Sequence, residues 1–101
     1  MVRQGTTWKH KIILPMETSR VKLAQITYAQ GYKILFVKRT EDCEMIGRTV
    51  KLKLSQEETL KLDPDQALQL QLRGLTPGGE AFSTEVYKVD VGRALNKEVL
   101  K

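Results

Sequence analysis

Val50-Lys51-Leu52-Lys53-Leu54 and Leu68-Gln69-Leu70-Gln71-Leu72-Arg73 are the two runs that decide the fold, with Ser55 to Asp65 between them. In each run apolar and polar residues alternate strictly. That period of two marks a strand with one face buried and one face wet. The connecting Ser55-Gln56-Glu57-Glu58-Thr59-Leu60 has capping-box spacing at Ser55 and Glu58, which predicts one or two helical turns. Asp63-Pro64-Asp65 closes the connection. The unit therefore reads as strand, short helical turn, strand, spanning about Arg48 to Leu75.

Toward the N-terminus, Thr7 to Leu14 reads as the first strand, with Trp8, His10, Ile12 and Leu14 on one face. Pro15 lacks the N–H that a ladder needs and ends the pairing. Val21 to Gln30 is the second strand, with Ala24, Ile26 and Tyr28 inward and Gln25 and Thr27 outward. Val21 and Leu23 fall on the opposite phase, which predicts a bulge or bend near Leu23. Gln30-Gly31 is a turn, and Tyr32 to Lys38 is the third strand. Its run Ile34-Leu35-Phe36-Val37 suggests covering on both faces, or an outer face that meets a partner. Arg39 to Gly47 reads as a polar connection, with Met45 and Ile46 tucking in at its end.

Thr76-Pro77-Gly78-Gly79 is a strong turn signal, because proline presets φ and glycine accepts positive φ. It predicts a hairpin to a sixth strand over Glu80 to Val91, with a bulge near Val86. Residues 92–101 form a short tail, expected to make one or two helical turns with Leu95 and Val99 at i, i+4. The expected fold is all-β: a single domain over 1–101, a small antiparallel immunoglobulin-like β-sandwich of six or seven strands. The helical turn between the fourth and fifth strands would cross between sheets. A partly open barrel is the alternative.

The 101 residues are 41% hydrophobic and 29% charged, which suits one folded domain rather than a disordered chain. No apolar run approaches the roughly 20 residues of a membrane helix, and no signal peptide is read in Met1–Gly5. A cytoplasmic protein with no membrane partner is expected. The formal charge of +5 permits attraction to nucleic acid or to an acidic protein. Many of the basic residues fall at the polar beats of strands, where lysine ordinarily covers a wet face and blunts an edge.

Chemistry finds few candidates. Cys43, the only cysteine, lies in Glu41-Asp42-Cys43-Glu44, whose carboxylates disfavour the thiolate. His10, the only histidine, falls on the face of Trp8 and Ile12 and is expected to be a core or rim histidine. Asp63-Pro64-Asp65 lacks the glycine and closing glutamate of a calcium loop. Glu57 and Glu58 are explained by the helix start. Gly74 to Gly79 has neither the lysine-serine pair nor the following helix of a phosphate loop. Of the aromatic residues, Tyr32 and Phe82 are the expected exposed ones. No catalytic residue, cofactor, metal or small-molecule substrate is expected.

Several stretches bear on a family. They are Tyr28-Ala29-Gln30, Leu54-Ser55-Gln56-Glu57-Glu58-Thr59-Leu60, Gln69-x-Gln71-Leu72-Arg73, the Thr76–Gly79 turn followed by Ser83, and Val89-Asp90-Val91. In these the chain resembles small β-sandwich structural and accessory proteins from phage and prophage gene clusters of Gram-positive bacteria. Gln4-Gly5-Thr6-Thr7-Trp8 is similar to the start of domains that attach baseplate and fibre proteins to a tail. The resemblance implies a non-enzymatic role in virion assembly or tail attachment, through contacts with itself or another phage structural protein. Tyr32, Leu35 and Val37, read as an outward set, and Leu95 and Val99 of the tail are the candidate contacts. The alternative is a small basic nucleic-acid-binding domain using Arg48, Lys51, Lys53 and Arg73.

Overall fold

The structure is a computed structural model that describes all 101 residues. Strands cover 48% of the chain and helical turns 11%, and apart from one short parallel pair the strands are antiparallel. In chain order the strands are β1 (Val2–Arg3), β2 (Trp8–Ile13), β3 (Leu23–Gln30), β4 (Lys33–Arg39), β5 (Glu44–Ile46) and β6 (Thr49–Leu54). The helix α1 (Gln56–Leu60) follows, then β7 (Leu68–Leu75), β8 (Ala81–Ser83), β9 (Tyr87–Val89) and β10 (Val91–Gly92).

One sheet has the order β2-β6-β5. The other runs β4-β3-β7, and β8 and β9 share the far edge of β7 at its two ends. The inward side chains of both sheets form a single apolar cluster: Ile12 from β2, Val50, Leu52 and Leu54 from β6, Ala24, Ile26 and Tyr28 from β3, and Leu68, Leu70 and Leu72 from β7. These are the apolar beats of the alternating runs, so the sequence period and the buried face coincide.

The chain crosses between these two sheets three times, and the crossing from β6 to β7 is made by α1. Ser55 Oγ accepts from the Glu58 N–H at 3.1 Å, and Glu58 Oε1 accepts from the Ser55 N–H at 2.8 Å, completing the capping box. Thr59, fully buried, accepts from the Thr6 N–H and donates to the Thr6 carbonyl, tying the helix to the segment before β2. At the β7–β8 hairpin, Gly79 takes φ 86° and its N–H donates to the Thr76 carbonyl. Across that hairpin Gly74 lies opposite Phe82, whose ring sits where a Cβ on Gly74 would be.

The structure departs from the sequence expectation along several stretches, and within Arg39 to Gly47, read as a polar connection, Glu44–Ile46 forms the strand β5. The expected sixth strand is three short ones, because Thr84 replaces part of the ladder: its hydroxyl accepts from the Leu72 N–H, and its carbonyl accepts from the Gln71 amide. Its last piece, β10, leaves the five-stranded sheet and pairs in parallel with β1, burying Val2 and Val91. The bend expected near Leu23 is present at Lys22, immediately before β3, and a bulge not foreseen lies farther along, where β3 meets β4. Ile46 does not tuck in but stands on the outer face of β5, in register with Thr49. The tail after β10 is not helical. It is held extended over α1 by the Gln56 side-chain amide, which donates to the Leu100 carbonyl and accepts from the Leu100 N–H.

Candidate interaction surfaces

The first surface is β4. It is an end strand of the five-stranded sheet, so one row of its backbone groups has no neighbouring strand. Its pairing with β3 sets Tyr28 opposite Phe36 and Ala29 opposite Ile34, leaving Leu35 as the extra residue of a bulge. The bulge resets the side-chain phase. Leu35 and Phe36 both pack against the core, while Ile34, 63% exposed, and Val37 stand on the outer face. Tyr32, at the turn before β4, is fully exposed. The outward set is thus Tyr32, Ile34 and Val37, and Leu35 belongs to the interior side: a strict period of two cannot continue through an inserted residue. Lys33 and Arg39 stand at the two ends of the strand, both exposed. Lys38 instead donates to Glu58 at 2.7 Å. Burial alone would raise the Glu58 carboxyl; the Lys38 hydrogen bond and the Ser55 N–H outweigh it and hold the group below the usual glutamate range.

The second surface is the outer face of the three-stranded sheet. Because Ile12 lies opposite Val50 and His10 opposite Leu52, the register places Lys11 opposite Lys51 and Lys9 opposite Lys53. Four lysines form a two-by-two array, with like charges directly across the ladder, an unfavourable arrangement. The only ion pairs in the molecule are Lys38–Glu58 and Arg48–Glu17, so none of the four ammonium groups is neutralised by a contact within 4.0 Å. Glu44 lies in register with Lys51 on β5, but β5 extends alongside β6 only as far as that residue. Beyond it the chain turns away through Thr40–Asp42, leaving an open depression of about 760 Å³. Lys9, Lys11, Lys51 and Lys53 line one side, Glu41, Asp42 and Glu44 the other, and His10, Cys43 and Leu52 complete the lining.

Under that depression, His10 is held on three sides. Trp8 stacks on its ring at 3.8 Å between centroids. His10 Nδ1 faces the Trp8 carbonyl at 3.3 Å, and Nε2 faces the Tyr28 hydroxyl at 2.6 Å. A carbonyl can only accept, so Nδ1 carries the proton; because burial keeps the ring neutral, Nε2 is unprotonated and accepts from the Tyr28 hydroxyl. Burial lowers the His10 pKa to about 4; the Trp8 carbonyl opposes this, and the Lys38 charge adds to it. Burial raises the Tyr28 hydroxyl, and the neighbouring Cys43 and Glu58 push it the same way. The Cys43 thiol is also raised, first by burial and then by Asp42 and Glu41, and it donates to the Arg39 carbonyl at 3.0 Å. Histidine, tyrosine and cysteine are therefore each held in the uncharged form.

The remaining sequence candidates are dispersed. Leu95 is fully exposed on the tail, and Val99 is half-buried there. Arg48 sits in the turn before β6, beside Glu17 at 3.5 Å. Arg73 points outward from β7, in register with Gln25 and Ser83, on the far side of the core from Lys51 and Lys53. The basic set of Arg48, Lys51, Lys53 and Arg73 is not one patch. Lys9 and Lys11 take the places of the two arginines, and they emerge only once the β2–β6 register is known. Phe82, expected to be exposed, is half-buried over Gly74. No three His, Cys, Asp or Glu side chains come close enough together to hold a metal ion. No protein-family model matches the chain, and no curated protein is similar enough to it to count as a relative.

Proposed function

We propose that this protein is a non-enzymatic assembly module that joins copies of itself, edge to edge, through β4. The observation that carries the reading is the free edge of β4 with Ile34 and Val37 turned outward and Tyr32 fully exposed beside them. A strand with an open edge and apolar side chains at its margin is a template for strand addition. An antiparallel pair of β4 strands with Ile34 opposite Val37 of the second copy gathers four apolar side chains on one face. The same register brings Tyr32 to Arg39 of the second copy, a cation–π contact. It leaves Lys33 opposite Lys38, whose charge Glu58 already meets. The pair has two-fold symmetry and closes on itself. Pairing centred on Phe36 would set Lys33 against Arg39 of the second copy, which disfavours that register.

The setting comes from the sequence resemblance alone: a phage or prophage structural or accessory protein, with the two sheets forming a small immunoglobulin-like sandwich. The neutral, hydrogen-bonded state of His10 supports a role in packing rather than in proton transfer. Light scattering on wild type and Ile34→Asp tests the proposal. A defined oligomer lost on substitution, with native circular dichroism retained, supports it. Equal monomer masses for both proteins would sink it.

A further inference from the structure

We propose that the outer face of the three-stranded sheet is a docking surface for the phosphate backbone of duplex DNA, read without regard to sequence. Four ammonium groups, Lys9, Lys11, Lys51 and Lys53, are set in two ranks with no carboxylate within 4.0 Å of any of them. Their like-charge pairing is unfavourable in the free protein, and a polyanion relieves it. Along each strand the lysines repeat every second residue, about 6.8 Å, comparable with the spacing of successive phosphates on a nucleic-acid strand. Glu41, Asp42 and Glu44 bound the array on the β5 side, while β2 is an end strand and leaves the other side open. An anionic backbone therefore has one approach, from the β2 margin and along the two ranks.

The choice of duplex over single strand rests on what the face lacks. Single-strand binders stack bases on exposed aromatic rings. Here the nearest aromatic residue, Trp8, shares the inward face with His10 and stacks on its ring. Lysine on a sheet face supplies point charges and no base-edge readout, which positions a backbone without specifying a sequence. This face lies across the core from the β4 contact, and the two proposals stand independently.

Fluorescence anisotropy with a labelled mixed-sequence DNA duplex of about 20 base pairs tests it. Four phosphate contacts predict a slope of about −3.6 for log affinity against log salt, so affinity falls about 150-fold between 50 and 200 mM salt. Lys9→Gln combined with Lys53→Gln removes one cross-strand pair and should bring the slope to about −1.8. These side chains are exposed, and the relief of repulsion should leave the thermal midpoint unchanged or raised. Arg73→Gln, on the opposite face, should leave both affinity and slope unchanged. No binding at low salt, equal losses from Arg73→Gln and the lysine pair, or tighter binding of single-stranded DNA of the same length would each overturn the proposal.

Discussion

Acid should weaken this protein already between pH 6.5 and 5, through one residue. His10 is neutral in the fold, with Nδ1–H donating to the Trp8 carbonyl and Nε2 accepting from Tyr28. Its pKa lies at about 4, against 6.5 for the free side chain, chiefly because burial penalises the imidazolium. A base with a depressed native pKa contributes stability that is fully present above the unfolded pKa. That stability is lost as pH falls from 6.5 toward 4, where the unfolded chain takes up a proton that the native state refuses. At face value the whole window corresponds to about 3 kcal/mol, and the part between pH 6.5 and 5 to about 2 kcal/mol. The ring is only partly buried, so solvent screening reduces the share above pH 5 to about 1 kcal/mol. Urea unfolding at pH 7, 6 and 5, followed by Trp8 fluorescence and by far-UV circular dichroism, reads this directly. The midpoint should fall by roughly 0.3–1 M. His10→Gln should flatten the dependence. Equal wild-type stability at pH 7 and 5, or the same slope in His10→Gln, would refute this role of His10. Above pH 5 the effect is chiefly that of histidine, since Glu58 and Asp63, whose native carboxyls are depressed, lose their contribution only once the unfolded chain takes up protons near the ordinary values of 4.5 and 3.8.

Ser55→Ala removes the helix cap and should cost about 1 kcal/mol in chemical denaturation. Glu58 adds stability present above its ordinary range and lost as pH falls through it, so Glu58→Gln should soften the acid limb below about pH 4.5. Gly74→Ala would place a Cβ 2.4 Å from the Phe82 ring, forcing the ring off the sheet. A loss of about 1–3 kcal/mol in thermal unfolding is expected, and a neutral result would mean that the ring has free space to move into. Leu35→Asp puts a charge against the core and should destabilise by about 2 kcal/mol or more, whereas Ile34→Asp should cost well under 1 kcal/mol. Equal losses from the two would contradict the phase change at the bulge.

What the sequence revealed is what local chemistry determines. The Ser55–Glu58 cap, the hairpin at Thr76–Gly79 and the inward faces of β2, β3, β6 and β7 each depend on a few neighbouring residues, and each is found in the structure. Features requiring two distant segments were not visible. The β1–β10 pair joins two-residue strands from opposite ends of the chain, and neither carries a periodic signal of its own. Thr84 breaks the last strand through hydrogen bonds to Gln71 and Leu72, a role indistinguishable in sequence from an ordinary strand threonine. The four-residue apolar run in β4 concealed a bulge, and an unbroken apolar run carries no phase that could place Leu35 inside and Ile34 outside. The lysine array was half legible. Lys51 and Lys53 alternate visibly, but only the register with β2 brings Lys9 and Lys11 beside them and leaves Arg73 on the other face.

The proposed edge-to-edge association of β4 is tested most directly by the mass in solution. Light scattering across a concentration series in physiological salt should give twice the 11.5 kDa of a single chain, with Ile34→Asp returning to one. Each copy carries +5, so association should strengthen as salt screens the repulsion. A wild-type mass that stays at 11.5 kDa throughout the series would contradict the account.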